Sequence, residues 1–130
     1  MPSWRELAAV LVGGMLGTAL RLATDTLLPH GDRDFPISTL VVNVVGSFVL
    51  AFLVARVWRR AASWLRAGLG AGLLGSFTTF SALAVGVVQL GFTPVAALYL
   101  SLSLVLGLGA AIGGLAAGGR LRSPIDEANE

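Results

Sequence analysis

The sequence contains no cysteine and no lysine, and it has few charges of either sign. Without cysteine, the chain has neither a disulfide framework nor a thiolate metal site. All nine cationic side chains are arginine, and charged residues make up 12% of the 130 residues, whereas soluble domains carry about 25%. The net charge is only +2, and the arginines flank apolar runs, so we expect no nucleic-acid binding.

The sequence also lacks the residue combinations that catalysis needs. It has a single histidine, His30, in a polar loop, and the role expected for that side chain is a solvated one. There is no serine, histidine and aspartate arrangement, no carboxylate pair within an apolar run and no phosphate-binding loop. We therefore expect a protein that is not an enzyme.

Long apolar runs dominate what is present. Hydrophobic residues make up 55% of the chain, and the mean hydropathy is +0.84. A helix crosses a bilayer with about 20 apolar residues, and runs of that length cover about residues 7–28, 36–58, 67–90 and 94–117. The sequence predicts an all-α integral membrane protein with one four-helix domain at 1–119 and a polar tail at 120–130. No cleavage site follows the first run, which favours a retained helix over a signal peptide.

The arginines predict how the chain lies in the membrane. The N-terminus, the loop after the second run and the C-terminal tail share one side, which carries Arg5, Arg56, Arg59, Arg60, Arg66, Arg120 and Arg122. The other side has only Arg33, offset by Asp32 and Asp34. Cytoplasmic loops are enriched in arginine, so we expect both termini in the cytoplasm.

Glycines recur at four-residue spacing within the runs. The pairs are Gly13 with Gly17, Gly68 with Gly72, Gly109 with Gly113, and Gly114 with Gly118. Small residues at this spacing let helix backbones approach closely in lipid. We expect these faces to pack within the chain and against a second subunit.

Few ionisable residues fall inside the predicted spans. Arg21 precedes Asp25 by four residues in the first span, a spacing that allows an ion pair near the outer interface. We interpret Arg21 as a charge with a structural role. No carboxylate lies at the middle of a span, whereas proton-coupled exporters need one there.

The third span is interrupted by a polar segment at residues 75–81, which read Gly-Ser-Phe-Thr-Thr-Phe-Ser. Backbone inside lipid must find its hydrogen bonds within the protein, and a helix break at that depth presents carbonyl and amide groups that ions bind. Other neutral polar residues in the spans are Asn43, Ser47, Tyr99, Ser101 and Ser103. Single serines and threonines often bond back to their own helix, but the amide of Asn43 is not satisfied so simply.

These segments together resemble one known family. The third-span motif at 75–81, Val-Asn-Val-Val-Gly-Ser-Phe at 42–48 and Gly-Gly-Met-Leu-Gly at 13–17 followed by Arg21 are similar to those of the Fluc (CrcB) fluoride channels. The resemblance covers all four spans in order. It implies a passive, fluoride-selective channel that lets cytoplasmic fluoride leave the cell.

The resemblance also implies an assembly and a bound cation. Members form antiparallel dimers with two anion pathways, and the third helix of each subunit is broken at the dimer centre. A structural sodium ion, which is not transported, is held there by main-chain carbonyls. In this sequence those carbonyls would belong to Gly75 and Thr78, in keeping with the oxygen ligands that hard cations prefer.

Six side chains correspond to the anion pathway of the family. Asn43 matches its asparagine on the second helix, and Phe80 matches its first phenylalanine, whose positive ring edge can face an anion. The others are the neighbouring hydroxyls and the start of a polar track on the fourth helix: Thr79, Ser81, Tyr99 and Ser103.

The sequence departs from the family pattern at two places. Leu83 stands where a second phenylalanine is expected, and the polar track continues with Gly107 and Ala111, which have no hydroxyl. In an antiparallel homodimer the same chain must insert in both orientations, so its arginines should not favour one side of the membrane. In this chain they strongly favour one side. We therefore expect a heterodimer with a paralogue of opposite bias, in which one pathway conducts.

Two other functions would account for part of the sequence. A small multidrug-type exporter also has four spans, but it would require a carboxylate in the first span. A non-conducting structural membrane subunit would explain the glycine faces but not the polar segment at 75–81.

Overall fold

The computed structural model describes residues 1–31 and 33–120, with only the backbone of Arg120. The described residues contain helices and no strand. The helices are α1 (Trp4–Leu27), α2 (Ile37–Arg56), α3 (Ser63–Ala67), a π-helical segment (Gly68–Leu74), α4 (Gly75–Phe77), α5 (Phe80–Leu90) and α6 (Pro94–Arg120).

Four stretches of the described chain are long and apolar enough to cross a membrane. They cover Trp4–Leu27, Ile37–Arg56, Ser63–Leu90 and Pro94–Gly119. The chain is therefore a multi-pass membrane protein with the predicted order of spans. The first and third stretches begin a few residues earlier than the sequence predicted, and the second ends earlier. The tail, with Arg122 and the side chain of Arg120, lies outside the described residues.

Local capping signals explain where several helices begin and end. Ser3 and Glu6 form a capping box at the start of α1, in which the Ser3 amide donates to Glu6 Oε2 at 2.7 Å and the Glu6 amide donates to Ser3 Oγ at 3.3 Å. Gly91 ends α5 with a φ of 66°, a conformation that favours glycine. The Thr93 hydroxyl then accepts from the Ala96 amide at 3.2 Å and so caps α6.

The third span changes its packing partner partway along its length. Its first part, made of α3, the π-helical segment and α4, packs along α1, whereas α5 packs against α6. Helix α2 also packs along α6. The buried apolar cluster lies in this second half of the molecule and contains Leu40, Leu83, Leu90, Ala96 and Tyr99. The point at which the third span changes partner is Thr78–Thr79.

Glycines allow the closest of these helix contacts. A Cβ atom on Gly13 would overlap the Gly68 carbonyl oxygen, and one on Gly17 would overlap the Leu73 carbonyl oxygen. On the facing segment, a Cβ atom on Gly72 would lie 2.8 Å from the Val10 carbonyl oxygen. The predicted close packing of Gly13, Gly17 and Gly72 is therefore confirmed within the chain.

The fourth span uses its glycines unequally. Side chains at Gly114 and Gly118 would collide with the backbone of α2, so this pair packs as predicted. A Cβ atom on Gly109 would meet nothing within 4 Å. A side chain at Gly109 would therefore point into open space within the described chain.

Replacement of Gly17 is expected to loosen the packing of α1 on the third span. Gly17→Ala places a methyl group against the Leu73 carbonyl, and overpacking of this kind typically costs about 1–3 kcal/mol of unfolding free energy. The matched control is Gly109→Ala, which adds the same methyl group in open space. Thermal unfolding of the two purified variants measures the difference. Equal destabilisation by both substitutions would contradict this account of the helix contact.

Candidate functional site

The candidate site is built where the third span loses its helical backbone. Helix α4 ends at Phe77 and α5 begins at Phe80. The two residues between them are extended, with φ −78° and ψ 156° at Thr78 and φ −153° and ψ 119° at Thr79. This interruption lies within the single apolar stretch Ser63–Leu90. Its backbone groups therefore need hydrogen-bond partners from elsewhere in the protein.

Asn43 on α2 supplies two of those partners. Its Nδ2 donates to the Thr79 carbonyl oxygen at 2.9 Å, and the Thr79 amide donates to Asn43 Oδ1 at 2.8 Å. One side-chain amide thus satisfies both backbone groups of one extended residue. An asparagine amide has two N–H donors, so one hydrogen of Asn43 is not used by this pair of bonds. The predicted pathway residue Asn43 also fixes the shape of the interruption.

The same interruption removes the helical partners of several backbone carbonyls, among them those of Gly75 and Thr78. In a continuous helix, the Gly75 carbonyl would accept from the Thr79 amide, but that amide donates to Asn43. The Thr78 carbonyl would accept from the Ala82 amide, but that amide donates to Thr79 Oγ1 at 3.1 Å. Gly75 and Thr78 are the two residues whose carbonyls were expected to hold a cation. The loss of their helical partners leaves oxygen atoms suited to a hard cation.

The hydroxyl groups at the interruption have structural partners. Thr78 Oγ1 donates to the Leu74 carbonyl at 2.8 Å, as expected for a threonine that bonds back to its own helix. Thr79 caps α5 through its hydroxyl, which also lies 3.2 Å from Ser81 Oγ. Thr79 is buried and Ser81 is exposed. Ser81 is therefore the hydroxyl of this group that faces outward from the chain.

A shallow groove of about 240 Å³ runs beside the interruption and brings several predicted residues together. Asn43, Thr79 and Phe80 line it with Ser47 and Leu83. The ring of Phe80 is 79% exposed, so it projects from the chain and does not pack in its core. The groove thus combines neutral polar groups with one exposed aromatic ring.

Gly46 allows α2 to reach the interruption. A Cβ atom at this position would overlap the Thr78 methyl group and lie 3.4 Å from the Phe77 ring. Because Gly46 lies three residues after Asn43, it occupies the same face of α2. The glycine therefore brings Asn43 within hydrogen-bond distance of Thr79.

Tyr99 and Ser103 lie in the interior of the chain. Tyr99 is fully buried, with its ring 5.3 Å from that of Phe35 in an edge-on arrangement. Ser103 Oγ donates to the Tyr99 carbonyl at 2.7 Å, so its proton is used within α6. The Tyr99 hydroxyl has no hydrogen-bond partner among the described residues. The side chains of Thr39 and Ser103 are nevertheless close enough to interact with this hydroxyl.

Leu83 has a role in the core as well as in the groove. It is 7% exposed and packs in the same cluster as Tyr99 and Leu40. The residue that replaces the expected second phenylalanine therefore helps hold α5 against α6. Its apolar side chain gives the groove no donor.

Two buried hydroxyl residues escaped the sequence reasoning. Ser38 is 0% exposed and Thr39 is 7% exposed, although both lie near the start of α2, where side chains often reach the membrane surface. Ser38 Oγ lies 3.4 Å from His30 Nδ1. A signal for Thr39 was available, since Thr39, Asn43 and Ser47 recur at four-residue spacing along one helix face.

Arg21 lies on α1, outside the groove at the interruption. Its side chain is half-buried and that of Asp25 is exposed. The described residues include both members of the predicted pair, and no ion pair joins them. The role of Arg21 as a structural charge stays a prediction.

The chain is similar in sequence to known proteins over most of its length. Residues 8–115 match the family described as CrcB-like protein, Camphor Resistance (CrcB). The chain is 44% identical over 117 residues to the "Fluoride-specific ion channel FluC" of Methanopyrus kandleri, covering 87% of this chain and 88% of that protein. It is 43% identical over 119 residues to the protein of the same name from Rhodospirillum centenum, covering 86% and 94%. It is 39% identical over 110 residues to "Fluoride-specific ion channel FluC 1" of Mycobacterium bovis, covering 81% and 83%.

Substitution of Asn43 tests whether its amide holds the interruption. Asn43→Ala leaves the amide and carbonyl of Thr79 without partners, and each unsatisfied buried group costs about 1–3 kcal/mol. We expect a lower thermal midpoint and faster hydrogen exchange at the Thr79 amide. The control is Ser47→Ala, one turn further along the same face of α2. Unchanged exchange at Thr79 in Asn43→Ala would contradict the proposed role of the amide.

Proposed function

The chain belongs to the CrcB-like protein family, as its resemblance to the Fluc channels predicted, and we propose that it is a fluoride-specific ion channel. It would let cytoplasmic fluoride leave the cell passively across a bacterial plasma membrane and so reduce its toxicity. The family is one of channels and not of enzymes.

The geometric observation that carries this proposal is the double hydrogen bond between Asn43 and Thr79 inside an apolar span. It lets the backbone leave the helix at a depth where lipid offers no partners. The groove beside it is lined by Asn43, Ser47 and Phe80, and one amide hydrogen of Asn43 takes no part in the double bond. None of these groups carries a full charge.

Neutral donors suit a conducted anion. A site must be favourable enough for the ion to enter and weak enough for it to leave, and a fixed cation would bind fluoride more tightly. The positive edge of an aromatic ring adds a further weak attraction. The buried hydroxyl of Tyr99, which has no partner among the described residues, would extend this path along α6 towards Ser103.

The third span would be broken near the middle of the membrane, and two chains would pair in antiparallel orientation around that break. The support is the exposure of the groups that would meet there. Phe80 is 79% exposed and Gly75 is also exposed. A second subunit would cover these groups and complete the wall of the groove.

A structural sodium ion fits the same place. The carbonyls of Gly75 and Thr78 have lost the amides that would bond them in a continuous helix. Two subunits would bring two such pairs together and supply a set of oxygen ligands for a hard cation. The ion would join the two broken helices and would not be transported.

We propose further that the second subunit is a paralogue with the opposite arginine bias. Arg5, Arg56, Arg59, Arg60 and Arg66 all lie on one side of the predicted membrane domain, which favours a single orientation. Because Leu83 replaces the expected second phenylalanine, the pathway lined by Leu83 would lack a second aromatic ring. A partner that carries this ring would complete a single conducting pathway.

Fluoride efflux from liposomes tests the channel and its assembly separately. We expect rapid, proton-independent efflux, measured with a fluoride electrode, when this chain is reconstituted with a partner of opposite bias. Efflux should be at least tenfold slower with this chain alone. Rapid efflux by this chain alone, inserted in both orientations, would refute the heterodimer but support the channel. Absence of efflux in every combination would refute the channel, and exchange of drugs for protons would favour the exporter.

The exposed ring of Phe80 should matter for that efflux. Phe80→Ala removes the aromatic edge from the groove, and we expect at least a tenfold loss of fluoride flux from the conducting assembly. Phe92→Ala is the matched control, because Phe92 is also exposed but lies in the loop after Gly91. Equal effects of the two substitutions would count against a pathway along the groove.

Sodium should stabilise the assembled protein. Binding to the folded state at 100 times the dissociation constant adds about 2.7 kcal/mol, so the thermal midpoint should fall when sodium is replaced by N-methylglucamine. Thr78→Val removes the hydroxyl but keeps the carbonyl, and this variant should keep its dependence on sodium. A midpoint that is the same in both cations would refute the site, and loss of the dependence in Thr78→Val would assign binding to the side chain.

A further inference from the structure

A second groove lies between the beginnings of α1 and α3. Its volume is about 480 Å³, and it is lined by Trp4, Arg5, Ala8, Ala9, Val12 and Trp64. Two membrane crossings separate the start of α1 from the start of α3, so both lie at the same membrane face. The contact between these helices is direct.

The groups of this groove that carry polar atoms are Arg5, Trp4 and Trp64, at the beginnings of α1 and α3. The guanidinium carbon of Arg5 lies 5.8 Å from the centroid of the Trp4 ring, a cation–π distance. Trp4 is 74% exposed and Trp64 is 44% exposed. Tryptophan rings of this kind sit at the level of the lipid headgroups. The rest of the lining, one turn or more along α1, is apolar.

The carboxylate next to Arg5 in the sequence, that of Glu6, is bound by other groups. Glu6 Oε2 accepts from the Ser3 amide at 2.7 Å in the capping box, so this carboxylate is held at the helix start. Arg66 on α3 lines a different groove, and its charge acts on Glu6. Arg5 is therefore the cation that lines this groove among the described residues.

We propose that this groove binds a phospholipid with an anionic headgroup. The phosphate would lie against the guanidinium of Arg5 between the two tryptophans, and an acyl chain would lie along Ala8 and Val12. The arginine bias predicts that this face is cytoplasmic, and the cytoplasmic leaflet is enriched in anionic lipids. A single arginine near the membrane surface is worth about a fivefold preference for such lipids. The site does not depend on fluoride conduction.

Tryptophan fluorescence tests the proposal directly, because bromine on a lipid acyl chain quenches a nearby indole. The sequence has three tryptophans, and Trp58→Phe leaves Trp4 and Trp64 as the reporters. The full chain is placed in phosphatidylcholine vesicles that contain increasing fractions of brominated phosphatidylglycerol or brominated phosphatidylcholine. We expect the anionic lipid to quench at an about fivefold lower mole fraction.

Two further variants separate the headgroup from the acyl chain. Arg5→Gln in the same background should remove the preference, whereas Arg33→Gln, at the opposite membrane face, should keep it. Ala8→Leu, which fills the exposed wall of the groove without touching the charge, should lower quenching by the brominated anionic lipid. Equal quenching by both lipids, a preference that survives Arg5→Gln, or unchanged quenching in Ala8→Leu would each overturn the proposal.

Discussion

The structure depends on the need to satisfy backbone hydrogen bonds where no water is available. A membrane helix meets this need by itself, but the third span does not remain a helix. At Thr79 both backbone groups turn to the side-chain amide of Asn43. That pair of bonds makes the interruption possible. It also frees the carbonyls of Gly75 and Thr78 from their helical partners, so a structural solution creates a polar surface inside an apolar span.

The interruption also organises the packing of the helices. Before it the third span lies along α1, and after it α5 lies along α6. Glycines make each approach close enough: Gly13 and Gly17 on α1, and Gly46 on α2, which meets the Thr78 methyl group. Glycine is needed at Gly46 because any side chain would move Asn43 away from Thr79. The site and the fold therefore share the same small residues.

The groove beside the interruption offers neutral groups at its surface and leaves Phe80 exposed. Such a surface suits an anion that must pass and not remain bound. Leu83 and Tyr99 belong to the buried cluster behind the groove, so the residues that would shape the path also stabilise α5 against α6. A path of this kind, open along one side of a single chain, would be completed by a second subunit, as we propose.

The sequence by itself determined the four spans and the packing role of most glycine pairs, and it placed a polar segment at residues 75–81 within the third span. Hydropathy, capping residues and four-residue spacing are local signals, and the chain expresses them without distant partners. Only the tertiary structure decided that Asn43 bonds to a backbone 36 residues away, that Leu83 and Tyr99 share a core, and that Thr39 is buried. It also decided the π-helical form of Gly68–Leu74, which the sequence did not indicate. These features depend on which helix faces meet, and that choice comes from contacts between residues far apart in the chain.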